Sequence, residues 1–381
     1  MEFKKVASII DSIDLKLGGM AHSVRDIAIS NSLNNIQHDI VHLGKKTQSK
    51  IQGKIKFINL DQRFLKYALS FKLIYWLLEN KEKYDLFIIH GIWQFQTLCA
   101  RLIIPGKYIV FTHGMLDPYF GTEFIKSIKK KIYWYFIEKN NLLKSKNVIA
   151  NSTVEINHLK KTFLNTSKLK IKKVNYGIIP KKINFEKCKK KFLNKYKYLK
   201  NKKTILYVGR IHPKKGCDIL IKAFQEINPY NVSLLIAGPT ENMYAKKIIN
   251  YVKKNHLEKK IYFLNFIKNE IKWGAIYNAE CSILPSHGEN FGVSVVESLY
   301  AKTPIICTNK VGVYKEIKKY KCGLVINNTQ SSIKKGLLKF LRLDQNSKKK
   351  MNKNTTQCFN NNFNLASNSY FSDWIKNTNF K

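Results

Sequence analysis

Two glutamates with seven residues between them, Glu289 and Glu297, frame the stretch of this sequence best suited to chemistry, Ser286-His287-Gly288-Glu289-Asn290-Phe291-Gly292 and the apolar run after it. Residues 279–285 read as a buried strand closed by Pro285, and residues 293–301 read as a helix packed on that strand. Gly288 and Gly292 permit close backbone approach at the turn. The first N–H groups of the helix point out of its end with a partial positive charge, which suits a phosphate or a sugar hydroxyl. Glu289 then stands in the loop facing a ligand, and Glu297 sits deeper and to one side. The pair could hold two ends of one long polar molecule. The same spacing is equally that of a solvated helix residue at Glu297, so partners elsewhere in the chain decide between the readings.

Candidate partners fall at the ends of other strands. Residues 84–90 and 107–112 read as strands that both end in the same dipeptide, His90-Gly91 and His113-Gly114, with Trp93 and Asp117 close by. A histidine at the carboxyl end of a parallel strand faces the ligand crevice of a doubly wound sheet. One such histidine is as compatible with a structural role; two in succession point to a site. Gly18-Gly19 separates the strand-like residues 4–11 from an amphipathic stretch, 21–33. Its amides could approach a phosphate or simply turn the chain. The GxGxxG fingerprint is absent, which argues against a nicotinamide enzyme.

The elements that must position these residues alternate along the chain. Residues 38–43, 148–151 and 169–175 read as further strands and 64–78 as a helix. After Gly177 the composition shifts, and 181–203 is so rich in lysine that it reads as a linker or hinge helix between domains. A second alternating set follows, with strands at 204–208, 232–237, 260–264, 304–307 and 323–326 and helices at 216–225, 244–254 and 269–277. Residues 346–368 are polar and read as loose, and 370–376, with Trp374, reads as a last helix. The rhythm predicts two Rossmann-like doubly wound α/β domains facing a central cleft: 1–178, a linker 179–203, 204–345, and a C-terminal segment 346–381.

A chain of 381 residues with 44% hydrophobic content is large enough for two cores. The formal net charge of +43 points toward an anionic membrane surface or nucleic acid. Lysine supplies nearly all of it: only five of 68 basic residues are arginine (Arg25, Arg63, Arg101, Arg210 and Arg342), and Asn and Ile are abundant, the profile of AT-rich coding. The arginines are the more informative for being rare. Residues 123–146 read as a long basic and aromatic helix, with Lys126, Lys129, Lys130, Lys131, Tyr133, Trp134, Tyr135 and Phe136, of the kind that lies on anionic headgroups or packs with a solvated lysine face. Seven dispersed cysteines without a CxxC pair predict reduced thiols and neither a disulfide frame nor a zinc site. With neither a signal peptide nor a membrane span in the sequence, a cytosolic location is expected.

Gly209-Arg210-Ile211-His212-Pro213-Lys214-Lys215-Gly216 completes the set. With the Gly18-Gly19 loop, His113-Gly114, Ala237-Gly238-Pro239, the glutamate pair and Thr303-Pro304-Ile305, in that order along the chain, it resembles glycosyltransferase family 4, the retaining enzymes of GT-B fold. The resemblance implies that Arg210 and Lys215 hold the diphosphate of a nucleotide-sugar and offset charge on the leaving phosphate. It implies that Glu289, with Asn290, Phe291 and Gly292 around it, grips the donor sugar and that Glu297 holds the ribose. His113 would lie near the transferred sugar, Gly19 near the phosphates, and His90, Trp93 and Asp117 on the acceptor side. Glu289, His113, Arg210 and Lys215 then form the catalytic set, with both glutamates binding rather than acting as acid and base.

No metal or other cofactor is expected. The partners would be the nucleotide-sugar, a glycan or lipid-linked acceptor and an anionic membrane surface at the inner face of the cell membrane, but no nucleic acid. The His90-Gly91-Ile92-Trp93 and His113-Gly114-Met115-Leu116-Asp117 segments resemble a subgroup linked to surface-polysaccharide and lipopolysaccharide assembly. One departure stands out: where the family has an acidic residue in an Asn-Gly-Ile-Asp turn, this chain reads Asn175-Tyr176-Gly177-Ile178-Ile179-Pro180. The alternatives are a GT-B nucleotide-sugar epimerase, for which Asp117 is the obvious catalytic carboxylate, and a non-catalytic basic protein that binds membrane or nucleic acid.

Overall fold

The computed structural model describes residues 4–14, 19–44, 55–116, 128, 131–161, 168–174 and 176–378. The chain divides into two compact units: unit 1 is Met1–Ile179 with Asn364–Lys381, and unit 2 is Pro180–Phe363.

Unit 1 is built on seven strands: β1 (Lys5–Ile10), β2 (Gln37–His42), β3 (Phe57–Asn59), β4 (Leu86–His90), β5 (Tyr108–Phe111), β6 (Val148–Ala150) and β7 (Ile171–Lys173). Their order is β3-β2-β1-β4-β5-β6-β7 and every pairing is parallel. Unit 2 repeats the scheme with β8 (Lys203–Val208), β9 (Val232–Ala237), β10 (Ile261–Asn265), β11 (Cys281–Leu284), β12 (Ile305–Thr308) and β13 (Gly323–Ile326), in the order β10-β9-β8-β11-β12-β13. Parallel strands covered by helices on both faces read as continuous apolar runs, and β4 and β9 are buried along their whole length. In each sheet the order reverses beside the first strand, between β1 and β4 and between β8 and β11. A crevice opens there at the carboxyl ends of the strands.

Three expectations are corrected. The lysine-rich stretch read as a linker or hinge helix between domains does contain a helix, Phe185–Lys195, but that helix belongs to unit 2. It buries Cys188 and Phe192 against the helix Asn269–Asn278, where Gly274 lets the carbonyl of Cys188 approach so closely that a Cβ would collide with it. Phe185 stacks on Tyr277 with centroids 5.3 Å apart. The lysines lie on the outer face; a charge run hid a short apolar stripe.

The polar segment taken as loose is an 18-residue helix, Gln345–Asn362, capped by Asp344, which accepts from the Ser347 amide at 2.7 Å. Its buried residues Lys348, Thr355, Cys358 and Phe359 fall on one face by helical spacing. Phe359 lies against Tyr300 (5.0 Å), and Lys348 reaches Glu280 (3.0 Å). The last helix, Tyr370–Asn377, belongs to unit 1, where Ser30 donates to the Leu365 carbonyl and Phe371 packs edge-on against Phe111.

The third correction concerns 64–78. Phe64 and Leu69 form an antiparallel bridge, and the helix begins at Phe71, capped by Ser70. Helices Phe95–Ile103, Thr153–Lys161, Tyr314–Tyr320 and Gln330–Leu341 were not anticipated. Among the described residues no helix is long and apolar enough to cross a membrane. All seven cysteines are buried and unbridged.

Candidate functional site

Unit 2 brings the charged candidates together at its crevice. After β8 the chain runs through Gly209 and Arg210 into a single 3-10 turn, Pro213–Lys215, capped by His212, whose Nδ1 accepts from the Lys214 amide at 3.2 Å. Gly216 follows at φ +69°, packed so closely under Pro285 that any Cβ would strike its carbonyl oxygen. This loop is hydrogen-bonded to the one after β11. The Lys214 carbonyl accepts from the His287 amide (2.8 Å) and from the Ser286 hydroxyl (2.9 Å), while Thr308 donates to the Ser286 carbonyl (2.6 Å).

Glu289 is held on both sides of its backbone: its amide donates to Lys310 O (3.0 Å) and its carbonyl accepts from the Gly312 amide (2.9 Å). From this anchored position its Oε2 forms an ion pair with Lys215 Nζ. The two side chains keep 17% and 21% of their surface exposed, so the pair stands at the rim of solvent. Burial, then the cations of Arg210 and Lys214, push Lys215 down to about 7, and the Glu289 carboxylate against it favours the charged form. Arg210 is exposed and its side chain projects from the loop, whose backbone is steadied by a Tyr207 hydroxyl donated to the Arg210 carbonyl (2.7 Å).

Gly292, at φ +100°, turns the chain into the helix Val293–Tyr300 as expected. The flanking residues divide. Phe291 is buried and packs edge-on against Phe363 (5.9 Å), so its side chain serves the core. Asn290 lies partly buried beside the crevice, its carbonyl tight against Gly312. Glu297 carries a lysine partner that the sequence did not suggest: Lys272 Nζ sits 2.6 Å from its Oε1 and also lies over the Trp273 ring, 4.8 Å from the centroid. Both carboxylates in the opening motif are therefore salt-bridged to lysines from other loops or helices of unit 2.

Unit 1 presents different chemistry at its crevice. His90 ends β4 and is fully buried, so the expectation that it lines the acceptor side is corrected: it stands behind His113, with its Nδ1 3.0 Å from His113 Nε2. His113 is partly exposed and adopts φ +48°, with Phe111 stacked against both imidazoles. The left-handed backbone is held by Glu155, which is nearly fully buried. One of its oxygens accepts from the Thr112 hydroxyl (2.6 Å) and the Gly114 amide (2.7 Å), and the other from the Asn151 amide (2.8 Å).

A second buried carboxylate, Glu138, anchors the Trp93 loop. It accepts from the Trp93 backbone, from Thr97 (3.3 Å) and from Asn141 (3.3 Å), and burial pushes it up to about 7. Trp93 itself is half-buried, donates from its indole to Met115 O (3.2 Å) and packs against Tyr133 and Trp134.

Neither Glu138 nor Glu155 was singled out from the sequence. Each sits on a helix or loop far from the dipeptide it serves, and no local spacing links them. Asp11, just past β1 at the switch point, was also missed; it accepts from Gln94 (3.2 Å) and pairs with Arg63 (2.5 Å). Burial raises its carboxyl above the ordinary range against the opposing pull of Arg63. Its place at the end of a predicted strand was the available signal. Gly19 is exposed and opens the helix Gly19–Leu33; Gly18, Asp117, Lys126, Lys129, Lys130 and Asn175 lie outside the described residues. Of the basic aromatic stretch, the described part includes a five-residue π-helical segment, Trp134–Glu138, that buries Trp134 and Glu138 and exposes Tyr135 and Phe136.

With this geometry in hand, comparison with known proteins is informative. Residues 189–357 match the family described as Glycosyl transferases group 1, a span that contains Arg210, Lys215, Glu289 and Glu297. An uncharacterised glycosyltransferase of Methanocaldococcus jannaschii is 27% identical over 162 residues, 41% of this chain and 41% of the relative. The capsular polysaccharide biosynthesis glycosyltransferase CapM of Staphylococcus aureus is 30% identical over 159 residues, 38% of this chain and 39% of the relative. The 2-deoxystreptamine N-acetyl-D-glucosaminyltransferase of Niallia circulans is 29% identical over 116 residues, 30% of this chain and 29% of the relative. The matched stretches thus span about two-fifths or less of the length of these relatives.

Among solved structures, sucrose-phosphate synthase of Thermosynechococcus elongatus superposes with a TM-score of 0.77 at 17% identity, covering 95% of this chain and 96% of that one. Anabaena HepE in complex with UDP and glucose gives 0.76 at 15% identity, covering 98% and 100%. These likenesses show the fold: two Rossmann-like parallel-sheet units of the GT-B class, as the sequence led us to expect.

Proposed function

We propose that this chain is a retaining glycosyltransferase that moves a hexose from a nucleotide-sugar to a glycan or lipid-linked glycan in the assembly of cell-surface polysaccharide. The observation that carries the reading is the Lys215–Glu289 pair, set on two mutually hydrogen-bonded loops at the switch point of unit 2, within the span that matches the glycosyl transferase group. A diphosphate reaching this crevice meets the Lys215 ammonium and the Arg210 guanidinium, which can grip it bidentately. It competes with Glu289 for Lys215, and the released carboxylate is free to accept from sugar hydroxyls. The same cations stabilise the nucleoside diphosphate as it leaves. Lys272 and Trp273 steady Glu297 for the ribose hydroxyls.

Relatives support the broad assignment: CapM is named for capsular polysaccharide, and HepE is described with UDP and glucose. In unit 1, His113 and Trp93 form the sugar-facing surface, and the loops that carry them are held rigid from behind by Glu155 and Glu138. Charge neutralisation by Arg210 and Lys215 makes a metal dispensable, so EDTA should leave the rate unchanged. The reaction runs at the inner face of the membrane, with the lysine-rich surface and the exposed Tyr135 and Phe136 against anionic lipid.

The deciding experiment is a donor screen on the purified chain with UDP-, GDP- and ADP-sugars, reading release of the nucleoside diphosphate. One donor is expected to turn over and to stop doing so in Glu289→Ala; absence of turnover with every donor and a panel of glycan acceptors would refute the assignment. Flotation with anionic and neutral liposomes checks the membrane surface, equal behaviour on both removing the electrostatic claim.

A further inference from the structure

Behind His113, a file of buried polar groups crosses unit 1 and is not accounted for by sugar binding. It starts on the last helix, where Ser372 Oγ donates to Asn31 Oδ1 at 2.8 Å. Asn31 Nδ2 lies 2.9 Å from His38 Nδ1, His38 Nε2 lies 2.8 Å from Ser8 Oγ, and Ser8 Oγ lies 2.9 Å from His90 Nε2. The final step is from His90 Nδ1 to His113 Nε2, 3.0 Å. Ser372, Asn31, His38, Ser8 and His90 are all 0% exposed, and only His113 reaches the crevice. The file runs from two helices through the adjacent strands β2, β1 and β4 to the loop after β5.

We infer that this chain of hydrogen bonds has one direction, set at its far end by Ser372 and Asn31, and that it holds the proton of His113 on Nδ1, making that nitrogen a donor toward the crevice. Each link shares one proton, and a neutral imidazole has one nitrogen that donates and one that accepts. Asn31 is oriented with its amide oxygen toward Ser372 and with Nδ2, a group that can only donate, toward His38. His38 therefore accepts at Nδ1 and donates from Nε2 to Ser8. Ser8 already accepts from His38, and His90 Nε2 is the other partner the structure gives its hydroxyl among the described residues, so its single proton goes to His90 Nε2. His90 donates from Nδ1 to His113 Nε2, and His113 is left protonated at Nδ1.

A charged His38 would set its Nδ1–H against Asn31 Nδ2 and a charged His113 its Nε2–H against the His90 Nδ1–H, a charged His90 would leave the Ser8 proton without its acceptor, and the surroundings oppose charge: burial lowers His38 to about 3 and His113 to about 4, and His90 well below its ordinary value. Each histidine in the file is thus a neutral tautomer selected by its neighbour. Ser372, Asn31, His38, Ser8 and His90 are positioning residues that act through His113. The ligand atom opposite Nδ1 is an acceptor, an ether or hydroxyl oxygen of a sugar; this last clause rests on the function proposed above, whereas the direction of the chain does not.

The test is long-range 1H–15N correlation NMR on the full chain labelled at its nine histidines, with signals assigned by single His→Gln variants. At pH 7.5 and without ligand, His113 and His90 should be protonated at Nδ1 and His38 at Nε2. The opposite tautomers, or a charged ring at any of the three, would overturn the inference. Ser8→Ala cuts the file in the middle, and Ser372→Ala frees the Asn31 amide to turn over while altering only the peripheral helix, so at least one folded variant is expected. In either, the His113 signals should move toward the Nε2-protonated form; an unchanged Nδ1 tautomer in a folded Ser8→Ala or Ser372→Ala protein would refute control from a distance. Transfer by these variants should fall about tenfold, the effect of one well-placed hydrogen bond, with Ser8→Thr restoring both tautomer and rate. A moved tautomer with full transfer would instead refute the sugar-facing role of His113 while leaving the chain's direction established.

Discussion

At the switch point of unit 2 a lysine and a glutamate face each other across two loops at the rim of solvent, with an exposed arginine beside them. At the equivalent place in unit 1 the polar groups around the expected histidines are neutral rings and hydroxyls, buried in the sheet and held by carboxylates from behind. The same strand order therefore supports two kinds of site. In the function proposed above the first would work by charge, its strength depending on how little water and salt screen it. The second would work by direction, because a neutral donor or acceptor is useful only if its proton is in the right place. Chain topology decides where a crevice lies; the residues behind the crevice decide which of the two it becomes.

Removing charge from unit 2 should have the largest effect. Lys215→Ala and Glu289→Ala are each expected to lower nucleoside diphosphate release by about 100-fold or more, the scale for loss of a preorganised electrostatic group, with far-UV circular dichroism unchanged. Full activity in both variants would break the contrast at its charged end.

Next comes Glu155→Ala, which leaves Thr112, Gly114 and Asn151 without their buried acceptor and should cost about 3 kcal/mol in urea unfolding. An unchanged midpoint would show that the His113 loop is not held from behind.

Acidity sharpens the comparison further. Lys215, lowered to about 7, loses its proton progressively above that pH in the free protein, and a bound diphosphate restores it. Affinity for the nucleoside diphosphate should weaken by up to about tenfold per pH unit above 7, with proton uptake detectable by calorimetry in buffers of different ionisation enthalpy. A flat profile between pH 6.5 and 8.5 would contradict the shift. The unit 1 histidines move the other way in consequence. Their folded pKa values, about 3 for His38 and about 4 for His113, lie below the unfolded value near 6.5. The unfolded chain then binds more protons between these limits, and stability should fall as pH drops from about 6.5 toward 4. Thermal melts across that range check it.

The smallest effect is expected at the exposed aromatics. Tyr135→Ser with Phe136→Ser should change stability by less than about 0.5 kcal/mol while reducing flotation with anionic liposomes; unaltered flotation would detach this surface from the membrane.

How far the sequence carried these conclusions differs between the two crevices. In unit 2 the charged residues lie in two short segments, 209–216 and 286–297, each soon after a strand; type and spacing drew attention to Glu289 and Glu297, and the family resemblance added Arg210 and Lys215. What could not be read there was pairing: Lys272 is 25 residues from Glu297 along the chain, and nothing local joins them. In unit 1 the two His-Gly dipeptides were visible, but which of them meets the crevice was not. The helix 345–362 was lost for a related reason, since its few apolar residues are spaced for one face amid Asn and Lys.

By itself the sequence determined the alternation of strands and helices, the two doubly wound units and the loops that carry Lys215, Glu289, His90 and His113. The alternation and the Glu289, His90 and His113 loops follow from periodicity and glycine placement, which act over a few residues, and the Lys215 loop from a resemblance of motif. The tertiary structure decided which cation meets which carboxylate, that His90 stands behind His113, and that Ser372 lies 2.8 Å from Asn31 although 341 residues separate them. Hydrogen bonds and ion pairs are made at about 3 Å through space, and only packing brings such distant residues within that reach.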